Sequence, residues 1–196
     1  DAARKKIEQA KKELADAGVI KPGDDIPVIT IEFGKRDEQT HRIAEFMMGE
    51  FRRVGITIKP VLNDHPTLLG KMNNKRFQTL MLGWYADYPD AENFLQNFYS
   101  PNIERHTNYF SYANKEFDRL FEQAGKCTDI TDRVPLYAKM ARMIAEDVPI
   151  IPMYEPVIYT LLMPWTHNYK THPIAYGVAK YTRINVAARI KAGGRG

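Results

Sequence analysis

What most constrains this chain is the way its hydrophobic period switches between helical and extended values through the first half. Residues Arg4 to Ala17 place Ile7, Ala10, Leu14 and Ala17 on one face and stop at Gly18, which predicts a helix closed by a C-terminal glycine. After the turn-rich stretch Lys21-Pro22-Gly23-Asp24-Asp25, the run Val28-Ile29-Thr30-Ile31-Glu32-Phe33 alternates with period two, as a strand does. A second helix is predicted from Asp37 to Val54, with Ile43, Phe46, Met47, Phe51 and Val54 inward and Gly55 as its stop, and Ile56 to Lys59 predicts a second strand. If the two strands lie parallel in one sheet, they are joined by a right-handed crossover. Leu62 to Lys75 reads as a loop and a short helix. It leads into Thr79-Leu80-Met81-Leu82-Gly83-Trp84, whose scarcity of polar side chains predicts a buried central strand.

The second half is more helical. Pro89 and Asp90 predict a turn and a helix cap ahead of a helix from Ala91 to Tyr99, with Phe94, Leu95 and Phe98 on one face. Asn114 is suited to cap a helix with a Phe117, Leu120, Phe121 and Ala124 stripe. Thr131 or Asp132 is suited to cap another with Val134, Tyr137, Ala138, Ala141, Ile144 and Ala145 inward, and the two are expected to pack as a hairpin. Pro149 and Pro152 end the helical region, and Ile150 to Tyr154 and Val157 to Leu162 read as extended segments. From Pro164 onward no period is evident.

Composition bounds what such a chain does. With 196 residues, 44% of them apolar, it is long enough to bury a substantial core as one large domain or two small ones. The 28 basic and 24 acidic residues are interspersed, a solvated surface rather than a nucleic-acid footprint. No segment approaches the ~18 apolar residues of a membrane span. The chain opens at Asp1 without a methionine, signal peptide or lipid-attachment cysteine, and so reads as a piece of a longer protein. Cys127 is single, has no Cys/His cluster around it, and reads as an incidental thiol. The spacing of His167 and His172 fits no metal motif, and with His106 they read as surface or turn residues; no metal or cofactor is expected.

One segment carries candidate chemistry. Leu82-Gly83-Trp84-Tyr85-Ala86-Asp87-Tyr88-Pro89-Asp90 sets a carboxylate among three aromatics at the end of a predicted strand, and strand ends in an open α/β sheet are where ligands lodge. Asp87 and Asp90 read equally as turn and capping residues. As a site, the segment would receive a cation.

The order of segments resembles the C-terminal lobe of the large peptide-binding proteins that serve ABC importers. This is family 5 of the extracellular solute-binding proteins, with oligopeptide, dipeptide and nickel types. The helix end Ala15-Asp16-Ala17-Gly18, the junction Val54-Gly55-Ile56 and the segment Gly83 to Asp90 are similar to that family's pattern. So are Asn114 with Phe117-Asp118-Arg119-Leu120, Arg133 with Leu136-Tyr137, and Asp147-Val148-Pro149-Ile150-Ile151-Pro152-Met153-Tyr154; Pro164-Trp165 and Tyr169 resemble the oligopeptide-binding branch. The resemblance implies an α/β lobe of the periplasmic-binding-protein type II class, a mixed sheet flanked by helices, followed by an extended C-terminal tail. Residues 1–164 would form the ligand-binding lobe, and 165–196 would return to an N-terminal lobe not contained in this chain.

The same resemblance implies a function. Asp87 matches the position that accepts a peptide's α-ammonium group, with Trp84, Tyr85 and Tyr88 as its aromatic neighbours. A charge-assisted hydrogen bond there is worth about 1.5–3 kcal/mol, and an adjacent ring face adds about 0.5–2 kcal/mol by cation–π attraction. The implied partners are a short peptide, the missing lobe and a membrane permease, at the periplasmic or extracellular face of the membrane. The lobes would close on ligand as a hinge does, without covalent chemistry. Other readings remain: a non-peptide solute such as a metal complex or sugar, a sensor or interaction module, and a hydrolase pairing Asp87 with Asp90 or Glu92.

Overall fold

A computed structural model describes residues 2–105, 107–171 and 178–193. The chain divides into two units, Asp1–Trp84 and Tyr85–Gly196.

In the first unit α1 (Ala2–Asp16) is followed by β1 (Ile29–Phe33), α2 (Glu38–Arg53), β2 (Ile58–Leu62), α3 (His65–Asn73) and β3 (Thr79–Leu80). The helix stops fall where the glycines predict them: Gly18 and Gly55 take φ of +71° and +88°, values that side chains with a Cβ resist. Asp37 caps α2 by accepting the Thr40 N–H, and Asp64 caps α3 by accepting that of Thr67. β1 lies between the other two strands, parallel to both, with Ile29 opposite Ile58, Phe33 opposite Leu62 and Ile31 opposite Thr79. Ile31, Phe33, Ala44, Met47 and Ile58 form the core beneath this sheet.

Three expectations change here. The apolar run expected to be a central strand pairs along one side only. After Met81 N–H reaches the Glu32 carbonyl, 2.9 Å away, the chain leaves the ladder, and Leu82 is exposed. An apolar run records that a segment seeks cover, whereas its place in the sheet depends on which strands lie beside it. Phe46, expected inward, is 65% exposed, because the buried face of α2 is carried by Ala44 and Met47. Glu32, on the polar phase of an alternating strand, is buried. Its Oε2 accepts hydrogen bonds from Asn63 Nδ2 and Lys71 Nζ, both at 2.7 Å, which compensates the carboxylate for lost water.

In the second unit, α4 (Glu92–Leu95) runs into 3-10 turns at Gln96–Phe98 and Ser100–Asn102, followed by α5 (Lys115–Lys126) and α6 (Ile130–Asp147). The helix predicted over Ala91 to Tyr99 is therefore one α turn and one 3-10 turn, burying Leu95 and Phe98 but leaving Phe94 exposed. Asn114 caps α5 as predicted, accepting the N–H groups of Glu116 and Phe117. α6 begins earlier than predicted, capped by Asp129. Its buried face is Leu136, Tyr137 and Met140, and Val134 is exposed. The helices pack as the expected hairpin, with Phe117, Leu120 and Ala124 joining that face and Leu95 and Phe98 in one core.

α6 is closed by its C-cap Val148, which holds the left-handed conformation (φ 49°, ψ 49°) ahead of Pro149. The two extended segments predicted beyond it have no strand partner among the described residues, and Leu161 is 96% exposed. The tail carries more structure than an extended chain. β4 (Thr166–His167) pairs antiparallel with β5 (Arg183–Ile184), a 3-10 turn covers Val178–Tyr181, and α7 (Val186–Lys191) follows. His167 is exposed, as expected of a surface histidine; His106 and His172 lie outside the described residues.

Candidate functional site

Leu82, Gly83 and Trp84 of the candidate segment are the last residues of the first unit, and Tyr85 to Asp90 belong to the second. Residues 85–90 form no helix or strand. Their conformation is therefore set by individual hydrogen bonds. The Asp87 N–H donates to Asn93 Oδ1 at 3.3 Å, and Asn93 itself is 1% exposed at the start of α4. The Asp90 N–H reaches the Tyr88 carbonyl at 2.9 Å, and the Asn93 N–H reaches the Asp90 carbonyl at 3.1 Å. Pro89 directs the chain into this turn.

Asp87, Tyr85 and Tyr88 are exposed. Among the described residues no hydrogen bond engages the Asp87 carboxylate, and no ring contact joins Tyr85 to Tyr88. The Tyr88 hydroxyl donates to the Glu92 carboxylate. Burial and that carboxylate both push the Tyr88 phenol above its usual range. Asp87 is thus an accessible carboxylate on a backbone pinned at one end by a buried asparagine.

Asp90, expected only to shape the turn, is the most connected side chain of the segment. Its Oδ1 accepts the Tyr137 hydroxyl at 2.8 Å and the Glu92 N–H at 3.0 Å, and its Oδ2 accepts Arg133 Nη1 at 2.5 Å. Burial works against the charged form of Asp90. The Glu92 N–H, the Tyr137 hydroxyl and the Arg133 guanidinium outweigh it and hold the carboxyl below its ordinary 3.8. Burial and the neighbouring carboxylate push the Tyr137 phenol up to about 12, so it remains a hydrogen-bond donor at neutral pH. Arg133 and Tyr137 are one turn apart on α6 and face the same way. That i, i+4 spacing was the available sequence signal, but nothing local indicated which carboxylate it would meet.

A pH dependence follows. Because the folded state favours the ionised form of Asp90, its contribution to stability is complete above 3.8 and is lost as pH falls through the depressed folded value. Thermal melts of the wild type and Asp90→Asn should differ by a constant amount near neutrality and converge below that point. A gap that widened on acidification would contradict this sign.

Among the described residues no group of histidine, cysteine, aspartate and glutamate side chains has the arrangement of a metal site, and no helix is long and apolar enough to cross a membrane.

Solved structures place this architecture among the periplasmic binding proteins. The structure of Haemophilus influenzae OppA in complex with RPPGFSPFR superposes with a TM-score of 0.74 at 22% identity, covering 92% of this chain and 35% of that one. Residues 1–105 match the family model for bacterial extracellular solute-binding proteins, family 5 Middle, and the chain belongs to that family. The periplasmic oligopeptide-binding protein OppA of Escherichia coli is 29% identical over 84% of this chain and 30% of its own length. Heme-binding protein A of Haemophilus influenzae is 25% identical over 86% of this chain and 31% of its own length. The chain spans about a third of the length of these relatives.

Proposed function

We propose that this chain is one lobe of the solute-binding component of an ABC importer, capturing short peptides between two lobes and delivering them to a membrane permease outside the cytoplasm. The observation that carries the reading is Asp87. It is an exposed carboxylate without a protein partner among the described residues, on a turn fixed from behind, in a family whose relatives include a protein named for oligopeptide binding. An ammonium group meeting that carboxylate would gain a charge-assisted hydrogen bond. Tyr85, Tyr88 and Trp84 are the proposed aromatic surroundings. The role needs no catalysis. Asp90, one half of any Asp87–Asp90 acid pair, is committed to three donors and held ionised, which suits an anchor and not a general acid.

Residues 165–196, and with them the exposed apolar stretch after Val148, are proposed to pack against the second lobe. Ile151, Val157, Ile158 and Leu161 are each more than half exposed, which favours an additional covering surface.

Calorimetry on the full-length protein with tri-alanine and N-acetyl-tri-alanine tests the site. The free-amine peptide is expected to bind at least about tenfold more tightly, the equivalent of one charge-assisted hydrogen bond. Equal affinity, or binding of neither, would overturn the ammonium role. The relative named for heme supports a second reading, a non-peptide solute, and mass spectrometry of the co-purified ligand separates the two.

A further inference from the structure

Resting on the peptide reading of Asp87, we propose that Asp90, Arg133 and Tyr137 are positioning residues that set where the Asp87 carboxylate points and thereby how strongly a free amino terminus is preferred. The case rests on how the segment is held. Residues 85–90 carry no regular ladder, so α4 and α6 supply its restraints. From α6, Arg133 and Tyr137 divide the two oxygens of Asp90 between them. Oδ1 also takes the Glu92 N–H, and the Asp90 carbonyl takes the Asn93 N–H at 3.1 Å, so the half-buried Asp90 fixes the first turn of α4. Asn93 then passes the restraint back along the chain, because its Oδ1 holds the Asp87 N–H. Three linked steps connect α6 to the backbone of Asp87.

Arg133 and Asp90 are only 27% and 17% exposed, so their attraction is poorly screened, and Tyr137 lies within the hydrophobic core. Arg133 Nε is buried and, among the described residues, has no hydrogen-bond partner. The guanidinium therefore accepts an incomplete set of bonds in order to reach Asp90. A carboxylate held in one place before the ligand arrives loses less freedom on binding than one that must be ordered. Loosening the clamp should weaken recognition of the ammonium specifically, with little effect on contacts made elsewhere along the peptide.

The test compares the same peptide pair on full-length wild type, Tyr137→Phe, Arg133→Gln and Asp90→Asn, with thermal melts to confirm folding. Tyr137→Phe keeps the ring in the core and removes one donor. The expected result is that the free-amine preference falls about fivefold in Tyr137→Phe, corresponding to one hydrogen bond, and further in Arg133→Gln, while affinity for N-acetyl-tri-alanine stays within about twofold. If the wild type prefers the free amine and folded variants keep the full preference, the clamp is overturned and the Asp87 assignment stands. If the wild type shows no preference, the assignment itself fails and this proposal with it. Should Arg133→Gln not fold, the two milder variants decide.

Discussion

Replacing Phe117 with alanine is expected to destabilise the second unit by about 3–5 kcal/mol. The side chain is fully buried at the centre of the α5–α6 core. Its ring meets those of Tyr112 at 5.6 Å and Phe98 at 6.3 Å edge-on and lies parallel to that of Phe121 at 6.5 Å. Edge-to-face and offset pairs contribute beyond the area they bury, so truncation removes both burial and three ring contacts and leaves a cavity among stiff neighbours. Urea unfolding followed by tyrosine fluorescence should show a lower midpoint with an unchanged slope. A shift smaller than about 1 kcal/mol would mean that the surrounding rings collapse into the space.

Asn108→Leu should cost about 3 kcal/mol although it replaces a polar residue with an apolar one in a buried place, since each stranded buried polar group costs about 1–3 kcal/mol. Asn108 is 0% exposed. Its Oδ1 accepts the Tyr112 N–H at 3.2 Å, and its Nδ2 donates to the carbonyls of Tyr112 and Tyr99 at 2.9 and 3.2 Å. Leucine matches the volume and supplies none of these bonds, which strips the Tyr112 N–H and carbonyl of the bonds that hold the loop before α5, while the Tyr99 carbonyl keeps the Asn102 N–H at 3.0 Å. If the variant melted at the wild-type temperature, the loop would have to have found other donors and acceptors, and the side chain would not be its organiser.

Local features of the fold were legible in the sequence, and long-range ones were not. Gly18 and Gly55 announced their helix ends because a left-handed residue after a helix has few alternatives, and Asn114 announced its cap because the donors it satisfies lie two and three residues away. The strand–helix–strand order followed from period alone. By contrast, Glu32 is buried because Lys71 and Asn63, 39 and 31 residues further on, meet its carboxylate, and nothing within the strand reports that. The edge position of Thr79–Leu80 depends on the company it keeps. Asp87 is readable as a candidate because it stands in a motif, whereas Asp90 has only the local signature of a cap because its principal partners lie 43 and 47 residues away. Arg133 belongs to a helix pattern that names no target. A side chain's partner is a property of the fold, and single-sequence patterns record only the near ones.

Because the turn beyond Asp87 is gripped from α6 through Asp90, the outward side chains ahead of it contribute little to the core: Tyr85 is 64% exposed and Tyr88 41%. Anchoring and surface exposure are thereby assigned to different residues within one short segment. Positions such as 85 are open to substitution at small thermodynamic cost, usually within about 0.5 kcal/mol for exposed sites, while the anchored turn persists. Side chains at such positions can therefore be exchanged without rebuilding the scaffold that presents them.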